Sequence, residues 1–96
     1  MEILVTYDVS TTTPEGQRRL RRVAKLCEAH GQRVQQSVFE CTLSAPQLEV
    51  LKHRLWREID RSQDSLRFYR LREPFQRYVE VLGVRPAIDF HDTVVI

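Results

Sequence analysis

Apolar and polar residues alternate with two different periods along this chain, and the first segment has the period of a strand. Residues 2–8 read E-I-L-V-T-Y-D, which places Ile3, Val5 and Tyr7 on one face of the strand. The other face is also partly apolar, and such a strand is usually central in its sheet. Asp8 closes the segment, so the pattern predicts a carboxylate at the end of a central strand.

The second period is helical and occurs twice. The first helix is predicted from Pro14 to about His30, with a capping box formed by Thr12 and Glu15. The second is predicted from a capping box at Ser44 and Gln47 to about Asp60. Each helix has one apolar stripe that predicts a buried face. The stripes are Leu20, Val23, Ala24 and Cys27 in the first helix, and Leu48, Leu51, Leu55 and Ile59 in the second.

The remaining segments have the composition of strands. Residues 33–43 are rich in β-branched and aromatic residues, which predicts either one long strand or two strands joined by a bend near Gln36–Ser37. Further strands are predicted over Ser65–Leu71 and Arg77–Val84, and an extended apolar tip over Thr93–Ile96.

This order of elements predicts an α+β fold of the ferredoxin-like type, βαββαβ, with an extra C-terminal strand. The whole chain, residues 1–96, is predicted to form a single domain. The segment from residue 77 to residue 96 exceeds what this fold needs, and an unpaired strand requires an edge. It is expected to pair with a second copy of the chain in a homodimer, or else to fold back on its own sheet.

Composition excludes several classes of protein. No apolar run approaches the roughly 18 residues of a membrane span, and the N-terminal residues have no pattern of a secretory signal. The expected location is therefore the cytoplasm, with no membrane partner. Cys27 and Cys41 lack the spacing of metal ligands, so both are expected to be reduced core residues.

The charge is unevenly distributed, although the net charge is only +2. Of the 15 cations, 13 are arginine, and residues 18–35 hold six cations against one carboxylate. Because arginine favours bidentate contacts with phosphate, this block favours a phosphate-bearing partner. A solvated helix face has the same composition, and charge alone leaves both interpretations open.

Asp8 is the best candidate for chemistry, because the sequence has no glycine-rich phosphate loop, zinc-protease motif or nucleophile elbow. One carboxylate is a poor magnesium site, but two copies that place their Asp8 side chains across a two-fold axis would hold one ion between them. The alternative is that Asp8 only caps the following turn. Tyr7 points away from Asp8, and core packing is the simplest role for Tyr7 and for Phe39.

Four stretches together resemble a known family. They are V-T-Y-D-V-S at residues 5–10, R-L-R-R-V-A-K-L at 19–26, G-Q-R-V-Q-Q-S-V-F-E-C at 31–41 and S-L-R-F-Y-R-L at 65–71. Over roughly residues 1–82 the chain resembles the small CRISPR-associated endonuclease family, the smaller of the two proteins that acquire spacers. The resemblance implies two strands with a tight bend at Gln36–Ser37, and a ferredoxin-like homodimer whose C-terminal strand adds to the partner's sheet.

The resemblance also implies a magnesium-dependent phosphodiesterase, with Asp8 of both chains on the metal and Mn²⁺ as a substitute ion. It implies nucleic-acid contacts for Arg19, Arg22 and Arg33, and positions near the metal for Tyr7, Ser37 and Phe39. The expected function is endonuclease activity on RNA or DNA, or a scaffold that holds DNA and bridges dimers of the larger integrase subunit. The alternatives are a toxin-like small ribonuclease of the same fold and a non-catalytic nucleic-acid-binding dimer.

Overall fold

Six regular elements alternate along residues 1–84, the part of the chain that the structure, a computed structural model, describes. Their order is the predicted βαββαβ order, which confirms the α+β, ferredoxin-like fold. The elements are β1 (Glu2–Asp8), α1 (Pro14–Glu28), β2 (Gly31–Gln35), β3 (Val38–Thr42), α2 (Ala45–Glu58) and β4 (Ser65–Arg70), followed by a 3-10 turn (Phe75–Tyr78).

The four strands form one antiparallel sheet in the order β2-β3-β1-β4. β1 is therefore an interior strand, as its apolar pattern predicts. It pairs with β3 from Glu2 opposite Thr42 to Thr6 opposite Val38. On its other side it pairs with β4, and the last pair in that register is Asp8 opposite Ser65. β4 is an edge strand of this sheet.

The core lies between one face of the sheet and the two helices. Because strand residues alternate between faces, the burial of Ile3, Val5 and Tyr7 against the helices turns Asp8 to the opposite face. The helices contribute buried residues from both predicted stripes. The core residues are Ile3, Val5, Tyr7, Val9, Val23, Ala24, Cys27, Phe39, Cys41, Leu43, Leu51 and Leu55.

Both cysteines are free thiols inside this core, as the sequence predicts. Burial raises the pKa of the Cys27 thiol to about 12 and that of the Cys41 thiol to about 11. Thiols with such pKa values are protonated at neutral pH and react poorly. Within residues 1–84, neither helix is long and apolar enough to cross a membrane.

The helix starts confirm one predicted capping box and correct the other. Gln47 N donates to Ser44 Oγ at 3.3 Å, and Ser44 N donates to Gln47 Oε1 at 2.8 Å. The first helix is capped by Thr13, whose hydroxyl accepts from Gly16 N at 3.1 Å, so the prediction of Thr12 was wrong. Pro14 is the first helical residue, and the capping position is therefore the residue directly before it. Both helices also end about two residues earlier than predicted.

Two further predictions concern the strands. The structure has two strands with a turn at Gln36–Ser37, which settles the alternative that the residue pattern left open. The predicted strand over Arg77–Val84 is not formed within one chain, because the 3-10 turn extends to Tyr78 and residues 79–84 pair with no strand of residues 1–84. The apolar residues there therefore have no sheet to pack on, and Leu82 is 90% exposed. The pairing of this segment with a second copy stays a prediction. The predicted tip at Thr93–Ile96 lies outside the described residues.

Candidate active site at the end of strand β1

Asp8 extends into solvent from a backbone that is held on both sides. Its neighbours Tyr7 and Val9 are buried in the core, at 6% and 8% exposure, whereas Asp8 is exposed. Within residues 1–84 no hydrogen bond or ion pair engages the Asp8 carboxylate. The alternative in which Asp8 caps the following turn therefore has no hydrogen bond to support it, and the carboxylate is available to a ligand.

The turn between β2 and β3 lies against the end of β1. Tyr7 N donates to the carbonyl oxygen of Ser37 at 3.1 Å, so Ser37 lies beside the residue that precedes Asp8. The Tyr7 hydroxyl donates to the carbonyl oxygen of Gln36 at 3.4 Å. The Tyr7 and Phe39 rings stack with their centroids 6.1 Å apart inside the core. Both rings thus have the packing role that the residue pattern favours, on the face opposite Asp8.

Arg33 belongs to this aromatic cluster. It lies opposite Phe39 in the β2–β3 register, and its guanidinium is 5.1 Å from the centroid of the Phe39 ring. Burial raises the pKa of the Tyr7 hydroxyl, and the nearby positive charge of Arg33 opposes that rise. The structure therefore places Arg33 on the helix side of the sheet, while Asp8 lies on the other side.

The two predicted arginines of α1 have different surroundings. Arg19 Nε donates to Asp64 Oδ2 at 2.8 Å, and only 14% of the Arg19 side chain is exposed. Arg22 is 61% exposed and lies 3.4 Å from Glu58 in a surface ion pair. Because exposed ion pairs contribute little to stability, Arg22 is free to exchange Glu58 for another anion. Arg19 has a buried partner that holds its guanidinium.

Asp64 is a residue of this region that no pattern in the sequence indicates. Its side chain is fully buried, and its carboxylate accepts from Ser10 N at 3.0 Å, from Asp60 N at 2.9 Å and from both Nε and Nη2 of Arg19. Burial by itself would raise the pKa of the Asp64 carboxyl, but the bonds from Arg19 and the two backbone groups outweigh it and lower that pKa. These partners are up to 54 residues away in sequence, so no local motif reveals them.

The loop after Asp8 also depends on Gly16. A Cβ atom at this position would collide with the carbonyl group of Ser10. We expect Gly16→Ala to force the Ser10–Thr11 backbone outward and to lower the free energy of unfolding by about 1–3 kcal/mol, which thermal unfolding would measure. The control is Ala29→Gly at the exposed end of α1, which exchanges the same two residue types and so differs by the same methyl group. Equal unfolding temperatures for Gly16→Ala and the wild type would contradict this packing.

Within one chain, Asp8 supplies only part of the ligands that a magnesium ion needs. Residues 1–84 contain no cluster of three or more His, Cys, Asp or Glu side chains that would hold a metal. The carboxylate of Asp8 is a hard oxygen donor of the type that Mg²⁺ prefers, and magnesium sites in proteins use one or two such groups with water and substrate phosphate. A second copy that adds its own Asp8 would complete the protein's share of the site.

Comparisons with known proteins point to one family. The sequence pattern of the family described as CRISPR associated protein Cas2 matches residues 1–77. The chain is 55% identical to the CRISPR-associated endoribonuclease Cas2 1 of Moorella thermoacetica over 96 residues, covering 100% of both chains. It is 48% identical to the CRISPR-associated endonuclease Cas2 of Halalkalibacterium halodurans over 95 residues, covering 99% of both. The crystal structure of Streptococcus pyogenes Cas2 superposes with a TM-score of 0.80 at 57% identity, over 86% of this chain and 100% of that one.

Proposed function

Since the chain belongs to the family of CRISPR associated protein Cas2, we propose that it is a cytoplasmic, metal-dependent endonuclease that acts in CRISPR defence. The observation that carries the proposal is the exposed, unpaired carboxylate of Asp8 at the end of an interior strand. Two relatives named above are called an endoribonuclease and an endonuclease, which supports phosphodiester hydrolysis as the reaction class.

In the proposed mechanism, Asp8 of each of two copies would bind one Mg²⁺ ion, for which Mn²⁺ can substitute. The ion, when bound, would stabilise negative charge on the scissile phosphodiester and lower the pKa of a bound water. A carboxylate oxygen of Asp8 would accept the proton of the attacking water as the new P–O bond forms, and the oxygen released when the scissile P–O bond breaks would take a proton from solvent. Exposed cations such as Arg22 hold the flanking phosphates, because arginine matches phosphate with two parallel N–H donors.

The proposed site requires a homodimer, and two features of the sheet support one. Asp8 lies on the face of the sheet opposite the helices, where a second copy can approach it. β4 is an edge strand whose outer hydrogen-bonding groups are not paired by another strand of residues 1–84, so it can accept an added strand. We propose that the segment from residue 77 to residue 96 of the partner supplies that strand.

The proposed activity is tested by incubating the protein with single-stranded RNA and with duplex DNA in the presence of Mg²⁺, Mn²⁺ or a chelator. We expect cleavage of at least one substrate with either ion and none with the chelator. Cleavage that continues in excess chelator would contradict the metal-dependent mechanism, and a toxin-like, metal-independent ribonuclease would then explain the result better.

A second proposed role is a DNA-binding scaffold that bridges copies of the CRISPR integrase subunit. The observation that favours it is the basic block of residues 18–35, most of which is exposed along α1. This role needs the dimer and its cations but not the Asp8 carboxylate. The two roles are compatible in one protein, and a non-catalytic dimer would retain only the second.

Arg22 provides the test of phosphate binding. We expect Arg22→Ala to weaken duplex DNA binding and to reduce the slope of log K against log salt concentration by about one per protomer, which is the loss of one phosphate contact. Fluorescence anisotropy at several salt concentrations measures that slope. Arg54→Ala, an exposed arginine of α2, is the matched control and should leave the slope unchanged. An unchanged slope in Arg22→Ala would remove Arg22 from the proposed nucleic-acid surface.

A further inference from the structure

Asp8 has no side-chain partner within residues 1–84, so its position depends on the backbone that carries it. That backbone is held at two points next to Asp64. Asp8 pairs with Ser65 in the β1–β4 register, and Ser65 directly follows Asp64. Two residues after Asp8, Ser10 N donates to Asp64 Oδ1 at 3.0 Å. The buried carboxylate of Asp64 therefore binds the loop that follows Asp8, and Asp64 itself directly precedes the β4 residue that pairs with Asp8.

The carboxylate of Asp64 is itself fixed by two further segments of the chain. Arg19 of α1 donates to both of its oxygens, at 2.8 and 3.4 Å. Asp60, in the turn after α2, donates its backbone N–H at 2.9 Å, and the N–H of Asp64 bonds the carbonyl oxygen of Asp60 at 2.8 Å. These bonds hold the Asp64 carboxylate in one orientation, because its side chain is fully buried and its oxygens have four donors. Its position then fixes Ser10 relative to α1 and β4.

We propose that Asp64, fixed by Arg19, is a positioning residue for the metal-binding carboxylate of Asp8. The inference rests on the proposed function, because it concerns the metal that two Asp8 side chains would share. In a two-fold dimer, a shift of Asp8 in one copy is repeated in the other, so the separation of the two carboxylates changes by up to twice the shift. Metal sites tolerate errors of only about 0.5 Å, and a small movement of the loop is therefore sufficient to weaken binding.

The experiment measures Mn²⁺ binding by electron paramagnetic resonance without nucleic acid, so that any contact of Arg19 with phosphate does not contribute. The same samples give the amide hydrogen exchange rate of Ser10. The variants are Asp64→Asn, which keeps the shape and removes the charge, and Arg19→Gln, which removes only the partner. The control is Leu51→Ala, because Leu51 of α2 is wholly buried in the core and takes no part in the Asp64 hydrogen bonds. All are compared at a temperature where circular dichroism shows them to be folded.

We expect Asp64→Asn to weaken Mn²⁺ binding by about 10-fold, the lower end of the loss for a residue bonded directly to a metal ligand, because Asp64 acts on Asp8 through the backbone, and to accelerate exchange at Ser10. Arg19→Gln should also weaken Mn²⁺ binding and accelerate exchange at Ser10, each by a smaller factor. This variant provides the test if Asp64→Asn does not fold. Leu51→Ala should leave Mn²⁺ affinity within about twofold of the wild type, although it is less stable.

Two results would overturn the inference about Asp64 without contradicting the proposed function. Folded Asp64→Asn that binds Mn²⁺ as tightly as the wild type would show that Asp64 serves the fold alone. Loss of Mn²⁺ binding in Leu51→Ala to the same degree would show that general destabilisation is the cause. A wild-type protein that binds no Mn²⁺ would instead overturn the metal site at Asp8, and with it the proposed function.

Discussion

Asp8→Asn is expected to abolish metal-dependent cleavage, with a loss of at least about 100-fold in rate. The substitution keeps the shape of the side chain but replaces an anionic ligand with a neutral amide in both copies of the dimer. The rate of cleavage of labelled RNA and DNA at saturating Mg²⁺ measures the effect. Glu49→Gln is the matched control, because Glu49 is an exposed carboxylate on α2 whose only ion pair within residues 1–84 is with Lys52 at the surface.

The same variant should leave the fold and the dimer intact. Asp8 makes no hydrogen bond or ion pair within residues 1–84, so its replacement should change the free energy of unfolding by less than about 0.5 kcal/mol. Equal elution volumes and unfolding temperatures would establish this. Cleavage at the wild-type rate by folded, dimeric Asp8→Asn would place the reaction at other residues and leave the scaffold as the supported role.

Asp64→Ala is expected to give a large loss of stability, about 3 kcal/mol in the free energy of unfolding. The truncation leaves the N–H groups of Ser10 and Asp60 without acceptors and the Arg19 guanidinium without its partner. For a domain of this size, such a loss lowers the unfolding temperature by more than about 10 °C. Thermal unfolding measures it, with Glu49→Ala as the control because exposed ion pairs contribute little. A change of less than about 1 kcal/mol would contradict the importance of these bonds.

The contribution of Asp64 to the free energy of unfolding should also depend on pH. Because the pKa of Asp64 in the folded protein lies below its unfolded value of about 3.9, the stabilisation is fully present above that pH. It is lost as the pH falls through the lower, folded pKa, when the carboxylate takes up a proton. The difference in stability between the wild type and Asp64→Ala should therefore be constant near neutral pH and shrink in strong acid. A difference that stays constant down to pH 2 would contradict this cause.

Features that depend on near neighbours in sequence were predictable. The strand period of β1, the two helical stripes and the Ser44–Gln47 capping box all follow from residues within one or two turns of each other. The wrong prediction of Thr12 as the first cap has a local cause as well. Pro14 is the first helical residue, so the cap is Thr13 directly before it, and Thr12 lies one residue too early. Residues 77–84 have strand composition but pair with no strand of residues 1–84, so their pairing with a second copy stays a prediction.

The sequence by itself determined the order of elements, the interior position of β1 and the placement of Asp8 at its end, because these depend on periodicity and on alternation between faces. Only the tertiary structure decided which charges are available. It paired Arg19 with buried Asp64, left Arg22 at the surface, and directed Arg33 onto Phe39 on the opposite side of the sheet from Asp8. Such pairs join residues that are far apart in sequence, and burial sets their strength, so composition and spacing cannot reveal them.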